Sequence, residues 1–437
     1  MDLLIKNGMV VTEERSFKAD LLIDQGKIVE IGDNLEEQGV QVVDASGKLV
    51  LPGAIDVNTY LSTELGGTMS ADGYLAGTRA AACGGVTTLF DVAIQKKGEG
   101  IIETVLQRKK MCEKEACIDY AFHCGITDLN EGTLLKEIES AVQMGVTSFN
   151  CFLTYKEDMQ MDDTSFLKVL LEAKKVGALV SVHAENAALI EKNITKFLKE
   201  GKTSAWYHYL SRPEKAETEA VKRALHWARA LQSPLYLAHI SAKESLEAAM
   251  IAKKEGMPVF IETCPQYLAY TCEVYKGEEA RRFVCSPTIK DENSQKALWQ
   301  GIEEGKIDIV ATNHCPFQSY EKDWGKEDFT KIPNGLSGIE ILYPYMLDAA
   351  NKGKVSFNRV VAMCAANPAK LFGCNNKGRI EEGKDADIVI YDPNKYFEVT
   401  VDNMHSDSDH TIWEGTRFKG SSSLVLPSAI NSFSLMH

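Results

Sequence analysis

The first fifty positions alternate apolar and polar residues between glycines, in LLIKNGMVV, DLLIDQGKIVEIG and QVVDASGKLVL. A period of two puts one face of a strand on a core and the other in solvent, so Asp2–Leu51 reads as short antiparallel strands joined by turns. Similar text returns late as GRIEEGKDADIVIYD, Gly378–Asp392. Two such segments at opposite ends of a chain can pair, and a composite β-sandwich of residues 1–52 and 376–420 is expected. The middle has another rhythm. Near-continuous apolar runs, among them VTTLFDV, DYAFHCGI, VTSFNCFL, ALVSVHA, PLYLAHI, MPVFIET and DIVAT, are separated by helical stretches such as Thr164–Lys175 and Glu217–Leu231. Strands without alternation are buried on both faces, as in a parallel sheet covered by helices. Seven or eight such units over roughly 320 residues fit a closed (β/α)8 barrel, placed at residues 53–375. After Gly420 the text SSSLVLPSAINSFSLMH carries little charge. Residues 421–437 read either as a tail that packs on something, such as another subunit, or as a disordered terminus.

Composition narrows the class. The 437 residues are 44% hydrophobic and 25% charged, enough for a large core in a soluble protein. A net charge of −14 argues against nucleic acid and anionic membranes as partners. No apolar run reaches the length of a membrane span, and MDLLIKNGMV lacks a signal-peptide pattern. Eleven cysteines without framework spacing read as reduced thiols. The expected location is cytoplasmic.

In a parallel barrel the functional side chains sit at the C-terminal strand ends. The polar residues expected there are Asn58 and Tyr60 in LPGAIDVNTY, Asn150 with Tyr155 beyond it, His183 in VHAEN, His239 in LAHIS, and Asn313 and His314 in NHCPF. Cys151 neighbours Asn150 on its strand and should face the other way. Cys315 is two residues from Asn313 and could face inward.

Around these positions, GTRAAACGGVTTLFD, SFNCFLTYK, VHAEN, HYLSRP, ETCPQYL, NHCPF and PNGLSGIE stand in the order found in hydantoinase and dihydropyrimidinase. The chain to about Gly420 resembles these cyclic amidohydrolases, and more distantly allantoinase and dihydroorotase. The resemblance implies a (β/α)8 barrel with a sandwich made from both chain ends. It also implies two divalent ions, held by a His-X-His pair on the first strand, a carbamylated lysine, two further histidines and an aspartate that shuttles protons. Family members assemble as oligomers, so a homodimer or homotetramer is expected.

The sequence departs from that pattern at four of the six ligand positions, which are Asn58, Tyr60, Asn150 and Asn313; His183 and His239 remain. Asparagine cannot be carbamylated, and neutral amides are poor zinc ligands. Asn313 cannot take up a proton as the family's aspartate does. No cofactor is therefore expected, or at most one weakly bound divalent ion such as zinc at His183 and His239, completed by amide oxygens, water or a Tyr60 phenolate. The other reading of these two histidines is ordinary hydrogen-bonded barrel residues. The ring-holding positions match better. By resemblance Tyr155 faces the reacting carbonyl, and Tyr155 and Asn313 occupy the catalytic positions. Ser286 in SPTIK and Asn334 in PNGLSGIE hold ring amides, and Leu65, beside Glu64, lines the exocyclic pocket. Tyr155 could instead be a half-buried tyrosine, and Ser286 and Asn334 turn residues.

Two functions stay open from sequence. One is a non-hydrolytic homologue on an amidohydrolase scaffold, a pseudoenzyme that binds a cyclic ureide or a protein partner. The other is an active hydrolase of C–N bonds in cyclic amides or ureides, or a related ring-acting enzyme, with a mononuclear or metal-free site.

Overall fold

The computed structural model describes residues 2–129, 132–156 and 158–427. Strands β1 (Leu3–Val11), β2 (Ser16–Asp24), β3 (Lys27–Gly32), β4 (Gln41–Asp44) and β5 (Leu49–Pro52) come first. The barrel strands follow: β6 (Ala54–Thr59), then, after a small hairpin of β7 (Glu64–Leu65) and β8 (Thr68–Met69), β9 (Val86–Ile94), β10 (Asp119–Gly125), β11 (Ser148–Phe152), β12 (Leu179–His183), β13 (Leu235–Leu237), β14 (Val259–Thr263) and β15 (Ile309–Val310). The chain then returns to the first sheet with β16 (Ile388–Glu398) and β17 (Arg417–Leu426).

That sheet has the order β17-β16-β5-β1-β2-β3, with β4 on β1, so both chain ends build it. Its hydrophobic side gathers Ile5, Leu21, Ile28, Val50, Ile388 and Ile390. The expected antiparallel pairing holds for β1/β2, β5/β16 and β16/β17. It fails for β1, which pairs in parallel with β4 at Leu3–Lys6 and with β5 at Met9 and Val10. The long β1 offers its free edge to two short strands in succession, and the crossover after β3 brings the chain back in the same direction. The boundary expected at Gly420 falls inside β17. Gly420 has φ +104, and a Cβ there would lie 1.7 Å from the Tyr391 hydroxyl oxygen, so only glycine fits at this register shift. Residues 421–426 therefore belong to the sheet, and 428–437 lie outside the described residues.

The eight barrel strands run parallel in the order β6-β9-β10-β11-β12-β13-β14-β15. The ring closes beyond β15. His314 bridges to Thr59, the Tyr60 N–H donates to the His314 carbonyl at 2.9 Å, and the His314 N–H donates to the Asn58 carbonyl at 3.1 Å. Buried Asp56 accepts the Thr312 N–H at 3.1 Å and its hydroxyl at 2.5 Å, which locks the same seam. Alternate strand residues serve two cores. Ile55, Val57, Phe90 and Tyr236 fill the barrel, while Phe149 and Cys151 pack outward under the helices. Helix Asp163–Lys175 is capped by Asp162, whose carboxylate accepts the Ser165 N–H at 2.7 Å. Among the described residues no helix is long and apolar enough to cross a membrane.

Candidate active site

Parity along the strands aims the polar residues into one mouth. Asn58 and Tyr60 stand two apart at the end of β6, Asn150 lies inside β11, and His183 ends β12. His239 follows β13, and Asn313 follows β15. All are buried except Asn313, which is half-buried. The His183 and His239 rings meet edge-on with centroids 4.5 Å apart, and the Tyr155 ring stands 5.3 Å from His183. Ser286 is a hub. Asn334 Nδ2 donates to its hydroxyl at 3.0 Å, and Asn313 Nδ2 donates to its carbonyl at 3.3 Å. The Ser286 side chain also acts on the Tyr155 phenol, favouring its ionised form against burial. Leu65, on the β7–β8 hairpin, packs against the cluster of Tyr60, Val92, Cys315 and Phe317. Cys151 faces the outer core, away from the mouth. His314 is bound to Asp72 at 2.9 Å and accepts the Gly338 N–H at 3.0 Å, a structural role.

Tyr155, His239 and Asn313 all have left-handed backbones, with φ of +65, +41 and +54. Such conformations are uncommon outside glycine and concentrate at functional sites, where surrounding contacts hold them. For His239 the holding contact is its own N–H, which donates to Glu262 Oε1 at 2.9 Å.

Three buried charges complete the mouth. None was assigned from sequence, although each lies within or beside a quoted motif: Glu185 in VHAEN, Arg212 in HYLSRP and Glu262 in ETCPQYL. Glu185 Oε2 meets His183 Nε2 at 2.9 Å and Arg212 Nη1 at 2.6 Å. Burial alone would push this carboxyl up. Arg212, then His183 and Lys290, outweigh it and hold Glu185 well below the usual carboxylate range. The Arg212 guanidinium also lies 5.7 Å over the Tyr155 ring. Among the described residues no cation pairs with Glu262. Burial pushes it up to about 7, against hydrogen bonds from the Tyr236 hydroxyl at 2.5 Å, Asn58 Nδ2 at 2.8 Å and the His239 N–H. Burial, reinforced by His183, depresses the His239 imidazole far below its ordinary value, so it is neutral. Burial raises the Tyr60 phenol well above its ordinary value, which removes the phenolate considered from sequence. Tyr155 is likewise pushed up to about 12 by burial.

Among the described residues, Asn58 Oδ1, Asn150 Oδ1, Glu185 Oε1, Arg212 Nε and His239 Nδ1 are buried without a hydrogen-bond partner. Each unmet group costs about 1–3 kcal/mol, so the mouth is set to receive a polar ligand, with donors for the two amide oxygens. A pair of divalent ions is a poor match for it. Position 150 is an asparagine, which cannot carry a carbamate, and Asn58, Tyr60 and Asn313 offer two amides and a phenol held in its neutral form. Among the described residues, no three His, Cys, Asp or Glu donors converge at this mouth; the single such group lies elsewhere. A lone ion would have two imidazoles and neutral oxygens, a weak set.

Residues 49–418 match the amidohydrolase family. The D-hydantoinase of Ralstonia pickettii is 38% identical over 431 residues, 98% of this chain and 94% of that protein. The D-hydantoinase of Geobacillus stearothermophilus is 37% identical over 98% of this chain and 92% of its own length. The crystal structure of dihydropyrimidinase from Brevibacillus agri NCHU1002 superposes with a TM-score of 0.96 at 37% identity, covering 98% of this chain and 94% of that one. With the family match over residues 49–418, the superposition and identity along nearly the whole length, the chain belongs to the amidohydrolase family.

Proposed function

We propose that this protein opens a cyclic amide or ureide ring by hydrolysis, with the proton chemistry carried by its own side chains rather than by a pair of metal ions. The observation that carries the reading is the convergence of His183, held by the ionised Glu185, with Tyr155, Ser286 and Asn334 in one buried mouth. With Nε2–H of His183 donated to the Glu185 carboxylate, Nδ1 keeps its lone pair, the arrangement of a general base oriented by a carboxylate. In this reading His183 takes a proton from water as the water oxygen bonds to the ring carbonyl carbon. The Tyr155 phenol, kept protonated by burial, donates to the oxygen that gains charge. The C–N bond then breaks, and the proton returns from His183 to the departing nitrogen. Ser286 and Asn334 hold the ring amides.

The relatives favour this over the non-hydrolytic scaffold: those compared are named for hydantoinase or dihydropyrimidinase activity at 37–38% identity over nearly the whole chain. The deciding experiment assays hydantoin and dihydrouracil with chelator-treated and zinc-loaded protein, following the ring-opened product by chromatography. Ring opening that survives chelation and disappears in His183→Asn is the expected result. Activity that appears only with two bound ions per chain would refute the metal-independent chemistry. Absence of both turnover and binding would return the chain to the scaffold reading. A homodimer or homotetramer remains part of the proposal, to be read by light scattering.

A further inference from the structure

We propose that Cys83, Glu340 and His405 form a binding site for a thiophilic divalent cation, zinc being the ion that best suits the set. The site stands apart from the barrel mouth and independent of the function proposed for it. Three chain segments build it: the last residue of helix Tyr74–Cys83, the loop beyond the last barrel strand, and the connection between β16 and β17. One thiol sulfur, one carboxylate oxygen and one imidazole nitrogen lie within 4.8 Å of one another, and no ion is present. A tetrahedral zinc ion wants such donors about 3–4 Å apart, so a small rotation of the exposed Cys83 side chain would close the set.

The other two ligands are already assembled. Glu340 accepts the His405 N–H at 2.8 Å and faces His405 Nδ1 at 2.7 Å, with the carboxyl buried and the imidazole partly open. The segment is held in place by Arg79, on the helix of Cys83, which donates to the His405 carbonyl at 3.2 Å. Ser406 and Asp407 also bind Asp72 on the barrel. Gly84 explains the close approach. A Cβ there would stand 2.6 Å from the Glu340 Cα and carbonyl oxygen, so a side chain next to Cys83 would drive Glu340 away. Burial and Glu340 raise the Cys83 thiol, so it is not poised as a nucleophile. A cation would displace its proton and neutralise the buried carboxylate beside it. Thiolate with imidazole selects zinc over magnesium or calcium, and three protein ligands leave the fourth position for water. A bound ion would fasten the β16–β17 connection to the barrel.

The test uses the chelator-treated full chain titrated with Co2+, a spectroscopic stand-in for zinc. One equivalent should produce a thiolate-to-cobalt charge-transfer absorption, reversed by excess Zn2+. Cys83→Ser should abolish the absorption, and His405→Asn should weaken binding more than about tenfold. Cys315→Ser, which removes a thiol packed with Tyr60 at the barrel mouth, should leave it intact, and circular dichroism should show each variant folded. The proposal is overturned if no saturable absorption forms, if it survives Cys83→Ser, or if it is lost in Cys315→Ser.

Discussion

Arg212→Met removes the guanidinium in hydrogen-bonding contact with a carboxylate that has no access to water. Glu185 is fully buried, and the guanidinium nitrogen lies 2.6 Å from its oxygen. Charge centres about 4 Å apart at an effective dielectric near 20 attract by roughly 4 kcal/mol. Breaking a buried pair from one side typically costs about 3–5 kcal/mol, because the survivor stays charged and unpaired. For a chain of this length 1 kcal/mol moves the melting temperature by about 1 °C, so Arg212→Met should melt roughly 4 °C lower at neutral pH. Glu185→Gln should cost a similar amount by stranding Arg212. The double variant strands neither charge and should cost clearly less than the sum of the two. The pH dependence has a definite sign. In the parent the Glu185 carboxyl lies below its unperturbed 4.5, so its contribution is present above 4.5 and is lost as pH falls through the lower folded value. In Arg212→Met, burial, the largest influence on this carboxyl, loses its strongest opponent and meets only His183 and Lys290, so the folded value rises. The variant's deficit should therefore shrink as pH falls from neutrality toward 5. Thermal melts of the four proteins across that range decide the matter. Additive losses, or a deficit that does not change with pH, would refute the assignment of Arg212 as the group that keeps Glu185 ionised.

Lys322→Met should destabilise the chain by about 3 kcal/mol, read as a lower melting temperature. Lys322 Nζ donates to the carbonyls of Val284, Pro333 and Gly335 at 2.8, 2.7 and 2.7 Å, which pins the segments carrying Ser286 and Asn334, so ring affinity should fall as well. His123, bonded to Ser148 and to the Val57 carbonyl at 2.8 Å, is depressed by burial from 6.5 to about 4. Between those values the unfolded chain binds a proton that the folded one refuses, so stability should drop on the order of 3 kcal/mol from pH 7 to pH 4 through this group alone. Nitrogen NMR of labelled histidine should find His123 neutral at pH 5.5, and a charged ring there would contradict its burial. Asn58→His, Tyr60→His, Asn150→Lys and Asn313→Asp together should bind divalent metal tightly, while each alone should be inert or destabilising. Metal content by elemental analysis and melting temperature read both outcomes.

The barrel was legible because parallel strands covered on both faces must be apolar throughout, and β9, β11 and β12 are buried along nearly their whole length. Strand parity correctly separated Asn150, facing in, from Cys151, facing out. Parity and turn signals say nothing about which neighbour a strand edge takes, so the parallel pairing of β1 with β4 and β5 was missed. The continuation of β17 beyond Gly420 was missed because a glycine at a register shift reads as a stop. Glu185, Arg212 and Glu262 were missed because a charged residue in a sequence is by default a surface residue. Only the fold shows that all three are enclosed. Cys83, Glu340 and His405 come from three distant segments without ligand spacing, so no reading of periodicity could have joined them.

The two buried carboxylates bear on how the mouth works. An enclosed carboxylate must be paired with a cation, protonated, or surrounded by donors. Glu185 takes the first course through Arg212. Glu262 takes the others: its oxygens are occupied by Tyr236, by the His239 N–H and by Asn58 Nδ2, and burial lifts its titration to about 7. The amide at position 58 gives Glu262 a donor, and its own oxygen meets no partner among the described residues. Neither carboxylate then needs a metal ion for charge balance. Among the described residues the mouth leaves unmet the acceptors Asn58 Oδ1, Asn150 Oδ1 and Glu185 Oε1 and the donor Arg212 Nε, and a cyclic amide or ureide offers N–H groups to the first and a carbonyl to the second. If that complementarity governs binding, an N-methylated ring should bind more weakly than its parent by about 1–3 kcal/mol for each donor lost. Calorimetry with hydantoin and its N-methyl derivatives would measure it, and equal affinities would show that these acceptors do not face the ring.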